Sequence, residues 1–176
     1  FERMLQWYQQ IHGLEFVAFR YFNAAGASDQ FGEHHRVETH LIPNVLKVAL
    51  GLVAQCEIYG TDYPTPDGTC VRDYIHVADL AQAHILAMQS GKQGFYNLGN
   101  GEGYSVREVI QTCERISGKM IPTVEKSRRA GDPPRLVAAA GKAVQELGWQ
   151  PKYPKLDDIV ATAWKWHLAH PVGYAD

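Results

Sequence analysis

Three arginines beside turn residues are the side chains of this sequence best suited to binding an anion. Arg72 follows the turn dipeptide Asp67-Gly68, while Arg128 and Arg129 open a loop that contains a glycine and two prolines. A planar guanidinium donates two parallel hydrogen bonds to a pair of anionic oxygens, so arginines from two loops can clamp a diphosphate. The alternative is a solvated charge or a structural ion pair. For Arg72, the aspartates open to such a pair are Asp73 and Asp79.

A second group of side chains, between residues 34 and 40, has the right types to bind a metal. It comprises His34, His35, Glu38 and His40. The spacing does not match H-E-x-x-H, and no second cluster of ligand residues completes a tetrahedral set. We therefore interpret this stretch as part of a polar loop and predict no metal site.

Gly99, Gly101 and Gly103 lie between a strand-like run and a helix, where a glycine-rich loop could cradle a phosphate. Their two-residue steps do not match G-x-G-x-x-G, so loop flexibility and tight packing explain them better. The sequence also contains no G-x-S-x-G and no helical tyrosine followed four residues later by lysine. The motifs alone therefore predict an anion-binding α/β module without catalytic residues of its own.

The composition is that of one globular domain over residues 1–176. The 176 residues are 45% hydrophobic and 20% charged, which is enough apolar material for a core. The net charge is -2 and no long basic block occurs, so we expect no broad nucleic-acid binding.

The cysteines indicate a reducing compartment. Cys56, Cys70 and Cys113 are odd in number, far apart and never spaced as C-x-x-C, which argues against a disulfide framework or a zinc-cysteine site. No apolar run approaches the length of a membrane span, and no signal peptide is recognisable. We predict a cytoplasmic protein that does not contact a membrane.

The elements that must position these side chains form a mixed α/β pattern of short strands and helices. The predicted helices cover residues 1–12, 41–50, 77–90, 106–117, 141–147 and 156–170. Ser105 and Glu108 form a capping-box pattern at the start of the fourth helix. The predicted strands cover residues 14–19, buried on both faces, 57–60, a run from 71 to 77, 94–99 and 121–124. The predicted loops cover residues 28–38, 61–68 and 128–134.

Longer motifs extend in order along nearly the whole chain. They are RYFNAAGA at 20–27, THLIP at 39–43, YGTDYPTPDGT at 59–69, CVRDYIHV at 70–77, YNLGNG at 96–101, RRAGDP at 128–133 and LGW at 147–149. Together they resemble the UDP-glucose 4-epimerase family of extended short-chain dehydrogenase/reductases, and the run from 63 to 77 is the most specific. The resemblance implies the substrate-binding portion of that fold, with the N-terminal nucleotide-binding part of the Rossmann fold missing.

The resemblance also implies a set of substrate-binding residues, which are Asn23, His40, Leu41, Ile58, Tyr59, Arg72, Arg129, Asp132 and Leu136. Within this set, Arg72 and Arg129 would hold the diphosphate, and Asp132 would lie close to a ribose hydroxyl. Leu136 falls where the family sets how bulky a sugar fits, and its aliphatic side chain does not decide between a plain and an N-acetylated hexose.

The reaction implied by the resemblance is redox-neutral overall. NAD takes a hydride from C4 of the sugar and returns it to the other face of a 4-keto intermediate, which interconverts UDP-glucose and UDP-galactose. Tyr21 and Phe22 would lie near the nicotinamide. The full-length protein would be a homodimer.

The family's N-terminal G-x-x-G-x-x-G and its Tyr-x-x-x-Lys pair have no counterpart in these residues. Phe1 begins in what looks like the helix just after that pair. We therefore expect a fragment that is inactive alone and needs its N-terminal half. The alternatives are a UDP-pentose or UDP-N-acetylhexosamine 4-epimerase, a 4,6-dehydratase, or a UDP-sugar-binding module without catalysis.

Overall fold

The computed structural model describes residues 1–174, in which short strands alternate with helices. The helices are α1 Glu2–His12, α2 Leu41–Ala49, α3 Val77–Ser90, α4 Val106–Ser117, α5 Gly141–Leu147 and α6 Leu156–Ala169. The strands are β1 Val17–Tyr21, β2 Asn23–Ala25, β3 Cys56–Tyr59, β4 Val71–Arg72, β5 Tyr74–His76, β6 Gly94–Leu98, β7 Tyr104–Ser105, β8 Thr123–Lys126 and β9 Arg135–Leu136. None of the helices between residues 1 and 174 is long and apolar enough to cross a membrane.

The helices lie where the sequence predicts them, and α4 shows why. The Ser105 hydroxyl accepts a hydrogen bond from the Glu108 N–H at 3.1 Å, and the Glu108 carboxylate accepts one from the Ser105 N–H at 2.6 Å. The predicted capping box is therefore confirmed. Gly118 ends the helix with a φ of 66°, a left-handed conformation that glycine adopts without strain.

Strand pairing is mostly parallel. β1 pairs with β6, β2 with β5 and β3 with β8, each in parallel. β4 lies between β7, which is antiparallel to it, and β9, which is parallel. Parallel pairing requires long crossover connections, and the helices supply them. The predicted α/β class is confirmed.

The strand predictions fail where strands are very short. The prediction of one continuous strand from 71 to 77 is wrong. The chain breaks at Asp73 into β4 and β5, which belong to different sheets. The strand predicted at 121–124 lies at Thr123–Lys126 instead. β2, β7 and β9 were not predicted, since two or three residues are too few to show an alternating pattern.

β1 also differs from its prediction. It begins three residues later than expected, at Val17, and its residues are half-buried or exposed rather than buried on both faces. Among residues 1–174, β6 is its one strand partner.

Two hydrophobic clusters form the core, and β5 runs between them. One cluster lies among α2, α4, α6 and β3, and the other among α3, α5 and β6. Tyr74 belongs to the first and Ile75 to the second. Successive side chains of a strand point to opposite faces, so this short strand joins both halves of the core.

The buried carboxylate of Asp73 holds two further segments against β4 and β5. It accepts hydrogen bonds from the N–H groups of Asn100 at 2.9 Å, Gly101 at 3.0 Å and Ala138 at 3.0 Å. Burial raises the pKa of Asp73, against the opposing effect of these three donors. A Cβ atom on Gly99 would lie 2.6 Å from the Asp73 carboxylate and 2.5 Å from the Cβ of Ala138. The glycine loop therefore packs tightly, as predicted, and the group it packs around is a carboxylate that was not predicted.

This packing predicts that Gly99→Ala destabilises the chain by about 1–3 kcal/mol, the usual cost of forcing an extra methyl into a filled space. Gly141→Ala is the matched control, because a Cβ at that position meets nothing within 4 Å. The control should be neutral or stabilising by up to about 1 kcal/mol, since alanine favours helix. Urea unfolding measures both changes. Equal free energies of unfolding for the two variants would show that the loop around Asp73 accommodates the extra methyl group without loss of stability.

His76 caps the start of α3 with its imidazole ring. Nδ1 accepts a hydrogen bond from the Ala78 N–H at 3.0 Å, and Nε2 lies 3.0 Å from the Thr162 hydroxyl oxygen. Nδ1 must be unprotonated to accept, so Nε2 carries the proton and donates it to Thr162. The residue is only 1% exposed, and burial lowers the pKa of His76. The fold therefore requires the neutral ring.

We expect the free energy of unfolding to fall as the pH drops below about 6.5, the ordinary histidine pKa. Below that pH the unfolded chain binds the proton that folded His76 rejects, and the loss continues until the lowered folded pKa is reached. His76→Asn keeps a capping side chain and should reduce this pH slope. His167, whose pKa burial also lowers, contributes with the same sign, so some slope should remain. Urea midpoints at several pH values test this, and an unchanged slope in the variant would exclude His76 as its source.

Candidate functional site

A cleft of about 960 Å³ lies beside β2, β3, β4 and the start of α2. Residues from widely separated parts of the sequence line it, because the strands bring their ends together. Seven of the predicted substrate-binding residues are among them: Asn23, His40, Leu41, Tyr59, Arg72, Arg129 and Asp132.

Arg72 reaches the cleft from β4. Its side chain is 13% exposed, forms an ion pair with Asp132 and donates a hydrogen bond to the Val71 carbonyl at 2.7 Å. The structural ion pair considered as the alternative is therefore present, but its partner is Asp132 and not Asp73 or Asp79, whose carboxylates accept backbone N–H groups. A guanidinium has five N–H donors, so several remain for an anion in the cleft.

Arg129 lines the same cleft from the loop between β8 and β9. Its Cζ lies 3.9 Å from the centroid of the Tyr59 ring, which is a cation–π contact. The Tyr59 hydroxyl donates to the Glu57 carboxylate, which holds the ring in place. β3 therefore orients the guanidinium before any ligand binds.

Arg128 is directed elsewhere. Its Nε donates to Asp62 at 2.7 Å, and its Cζ lies 4.3 Å from the centroid of the Tyr63 ring. It is not among the residues that line the cleft. Of the two adjacent arginines, the structure therefore places Arg129 in the site and Arg128 in a surface ion pair.

Asn23 is tied to the backbone at the break between β4 and β5. Its side-chain amide and its backbone N–H both donate to the carbonyl of Asp73, at 2.7 and 3.1 Å. The side-chain oxygen of Asn23 is left to accept a hydrogen bond at the edge of the cleft.

His40 and Leu41 meet the cleft where α2 begins. The Nδ1 atom of His40 lies 2.8 Å from a carboxylate oxygen of both Glu33 and Glu38, so its ring is engaged within its own loop. No side chain between residues 1 and 174 caps α2. Pro43 has no N–H and the Asn44 N–H donates to the His40 carbonyl at 3.3 Å, so the N–H groups of Leu41 and Ile42 are those left for an anionic or polar ligand.

Ile58 and Leu136 lie outside the cleft. Ile58 is 1% exposed and belongs to the core, because alternate residues of β3 face opposite sides. Leu136 pairs with Arg72 across β4 and β9, and its side chain is largely exposed. A role for Ile58 in binding would have to use its backbone, and the role of Leu136 in sugar selection stays a prediction.

Tyr21 and Phe22, the predicted cofactor contacts, also lie outside the cleft, at the end of β1. The Tyr21 side chain is exposed, with its hydroxyl 2.7 Å from Nε2 of His84. Phe22 is half-buried, and its N–H donates to the Leu98 carbonyl at 3.3 Å. They occupy the carboxyl end of a parallel strand, where ligands of open α/β sheets bind, and their contact with a cofactor stays a prediction.

Cys70 is a residue of the cleft that the sequence did not single out. Burial raises the pKa of its thiol, so the group stays protonated at neutral pH and is a poor nucleophile. The cleft lining thus agrees with a site that binds a ligand without supplying a nucleophile from this cysteine.

Four side chains of the loop before α2 come together in a way that the sequence did not predict. Glu33, His35, Glu38 and His40 bring potential ligand atoms within 4.8 Å of one another. Glu33 was not among the sequence candidates, and a comparison with H-E-x-x-H cannot find ligands on a loop that folds back on itself. His34 packs against Tyr174 instead, with ring centroids 6.0 Å apart.

The cleft combines two guanidinium groups with an aromatic ring and an apolar wall. The wall includes Leu41, Ile42, Pro43, Val53 and Ala54. Such a lining suits a ligand that carries phosphate at one end and a ring at the other. Fold and site together define an α/β protein with a cleft whose lining suits a phosphorylated ligand.

Comparison with known proteins narrows this class of α/β protein to one family. The family model for the NAD dependent epimerase/dehydratase family matches residues 1–99. The UDP-glucose 4-epimerase of Halalkalibacterium halodurans is 52% identical over 180 residues, covering 99% of this chain. A crystal structure of a UDP-glucose 4-epimerase superposes with a TM-score of 0.93 at 50% identity, covering 99% of this chain and 55% of that one. The Bifidobacterium longum enzyme, in complex with NAD+ and UDP, gives a TM-score of 0.90 at 42% identity, covering 96% and 52%.

The chain belongs to the NAD dependent epimerase/dehydratase family. Within that family it is a homologue of the UDP-glucose 4-epimerases, so the predicted resemblance is confirmed. The chain spans about half the length of the curated relatives it matches, 54% for the Halalkalibacterium enzyme.

Proposed function

We propose that this chain is the substrate-binding portion of an NAD-dependent epimerase that interconverts UDP-glucose and UDP-galactose in the cytoplasm. The observation that carries the proposal is that Arg72 and Arg129 line a single cleft. Homology to UDP-glucose 4-epimerases, one of them in complex with NAD+ and UDP, supports the choice of ligand. The three free cysteines, all buried, support a reducing compartment.

In this proposal the two arginines hold the diphosphate by charge-assisted hydrogen bonds. Arg129 is already oriented by Tyr59, and Arg72 by Asp132. The start of α2 adds free N–H groups beside the same cleft, and Asp132 can also accept a hydrogen bond from a ribose hydroxyl. These contacts bind the UDP end of the substrate and leave the sugar free of strong contacts from this chain.

A substrate held at its UDP end, with its sugar free to turn, suits an epimerisation at C4. NAD, when bound, supplies the hydride acceptor and donor, and Tyr21 and Phe22 would contact its nicotinamide at the end of β1. The keto sugar must present its opposite face between the two transfers. Anchoring the UDP end keeps the sugar in place while it turns, so the second transfer does not require a new encounter.

The N-terminal half of a full-length epimerase would pack on α1 and β1. The α1 side chains Met4, Trp7 and Tyr8 are each 53% exposed and Ile11 is 72% exposed, which is unusual for large apolar groups on one helix. The missing half would bring the catalytic tyrosine and lysine, so we expect the chain alone to be inactive. The full-length protein in this proposal is a homodimer.

Titration of UDP into the 176-residue chain tests whether Arg72 and Arg129 clamp the diphosphate. Arg72→Ala should weaken binding about 10–100-fold, because a hydrogen bond to a charged group contributes roughly 1.5–3 kcal/mol. Arg128→Ala is the matched control and should change the dissociation constant less than about twofold, since exposed ion pairs contribute little. Calorimetry measures all three proteins.

Arg72→Ala also leaves the Asp132 carboxylate without its partner. The double variant Arg72→Ala with Asp132→Asn separates this repulsion from the loss of the guanidinium. If the double variant binds UDP as tightly as the parent, Arg72 acts only by neutralising Asp132. If the single variant already binds as tightly as the parent, the diphosphate clamp is not at Arg72.

The catalytic part of the proposal is tested by joining the chain to the N-terminal half of a homologous UDP-glucose 4-epimerase. The joined protein should convert UDP-glucose to UDP-galactose, whereas the 176-residue chain should show no turnover. Mass spectrometry and chromatography of products from UDP-hexose, UDP-N-acetylhexosamine and UDP-pentose substrates identify the sugar. Turnover of one of the latter two but not of UDP-glucose would move the assignment to another epimerase.

A further inference from the structure

The loop between β2 and α2 gathers two imidazoles and two carboxylates at the rim of the cleft. Nδ1 of His40 lies 2.8 Å from a carboxylate oxygen of Glu33 and 2.8 Å from one of Glu38. Nε2 of His35 lies 3.1 Å from the same oxygen of Glu33. One ligand atom from each of the four residues falls within 4.8 Å of the others.

Backbone N–H groups and an imidazole compensate Glu38, whereas the contacts of the Glu33 carboxylate are to the imidazoles of His35 and His40. A neutral His40 has at most one proton at Nδ1, yet two carboxylate oxygens approach that atom. The Glu38 side chain is 4% exposed and that of Glu33 is 20% exposed, so water screens neither charge well. Two neighbouring carboxylates that are partly removed from water are stabilised by a positive charge nearby, which a protonated imidazole or a bound cation can supply. A divalent cation supplies that charge and accepts lone pairs from all four groups.

The donor types identify the cation. Two imidazole nitrogens with two carboxylate oxygens form a set that suits zinc, whereas magnesium and calcium prefer oxygen ligands only. Zinc bonds of about 2.0–2.2 Å in a tetrahedron place ligand atoms about 3.3 Å apart. The observed separations, from 2.8 Å up to a limit of 4.8 Å, bracket that value, so small side-chain movements would complete the site.

The backbone around the cluster holds its most buried ligand in place. One oxygen of Glu38 accepts the N–H groups of Thr39 at 2.9 Å and His40 at 2.8 Å. The Glu38 carbonyl accepts the side chain of Asn44, in the first turn of α2, at 3.4 Å. Hydrogen bonds of this kind orient metal ligands and raise metal affinity.

We propose that Glu33, His35, Glu38 and His40 form a zinc site that links the two ends of the loop segment 33–40 at the rim of the cleft. Four protein ligands make a closed, structural site rather than a catalytic one. Glu33, Glu38 and His40 also line the cleft, so zinc would fix the shape of its edge without contacting the reacting sugar. The proposal does not depend on which ligand the cleft binds.

Zinc titration of the 176-residue chain, after treatment with a chelator and dialysis, tests the site by calorimetry. We expect one equivalent to bind. His35→Ala and Glu38→Gln should each weaken binding at least about tenfold, since even partners outside the ligand set change affinity 10–100-fold. His34→Ala is the matched control, because its ring lies against Tyr174 and should leave zinc affinity unchanged. Cobalt substitution should give the visible absorption of a four-coordinate ion, and magnesium should not compete.

Circular dichroism and urea unfolding establish that each variant is folded. His35 is about half exposed in its side chain, so its loss should leave the fold intact and keep the test decisive. Absence of saturable zinc binding by the parent would overturn the proposal. Binding of equal strength in the parent, His35→Ala and Glu38→Gln would also overturn it, since the zinc would then lie elsewhere. The UDP titration is independent, so failure of either site is distinguishable from failure of the other.

Discussion

The position of Asp73 constrains the rest of this structure more than that of any other residue described above. Its carboxylate accepts backbone N–H groups from the loop after β6 and from the segment after β9, while its own carbonyl accepts Asn23 from β2. Its N–H donates to the Leu136 carbonyl at 3.1 Å. These bonds satisfy groups that would be expensive to bury alone, so they lock several segments that have little other regular structure. The break between β4 and β5 is therefore a junction that joins four parts of the chain.

The proposed diphosphate clamp of Arg72 and Arg129 depends on the junction at Asp73. Arg72 immediately precedes Asp73, and the pairing of β4 with β9 fixes the end of the loop that carries Arg129 and Asp132. Because Asp132 already pairs with Arg72, the local charge is balanced without a ligand. A diphosphate in the cleft would have to share the guanidinium with this carboxylate. The pair thus lowers the gain from binding an anion but keeps the arginine side chain ordered, which lowers the entropy that binding must remove.

The sequence was sufficient to predict the helices, because their signals are local. The Ser105 and Glu108 pattern and the glycine at 118 determine both ends of α4 with no reference to the rest of the chain. The resemblance identified seven cleft residues for the same reason that it identified the family, namely through long continuous motifs. The partner of Arg72 could not be predicted, since Asp132 is sixty positions away and competes with two nearer aspartates. The cluster at 33–40 could not be predicted either, because it depends on how an irregular loop folds back rather than on a periodic spacing.

The exposed apolar side chains of α1 take no part in the two hydrophobic clusters that form the core. Large exposed apolar side chains are spread over the surface, and four of them, Met4, Trp7, Tyr8 and Ile11, lie on α1. The residues that frame the clamp belong instead to two cores that close within this chain, with Tyr74 in one and Ile75 in the other. A partner half packed on α1 would cover the exposed surface without forming either core. The shape of the cleft thus depends on packing that is completed within this chain.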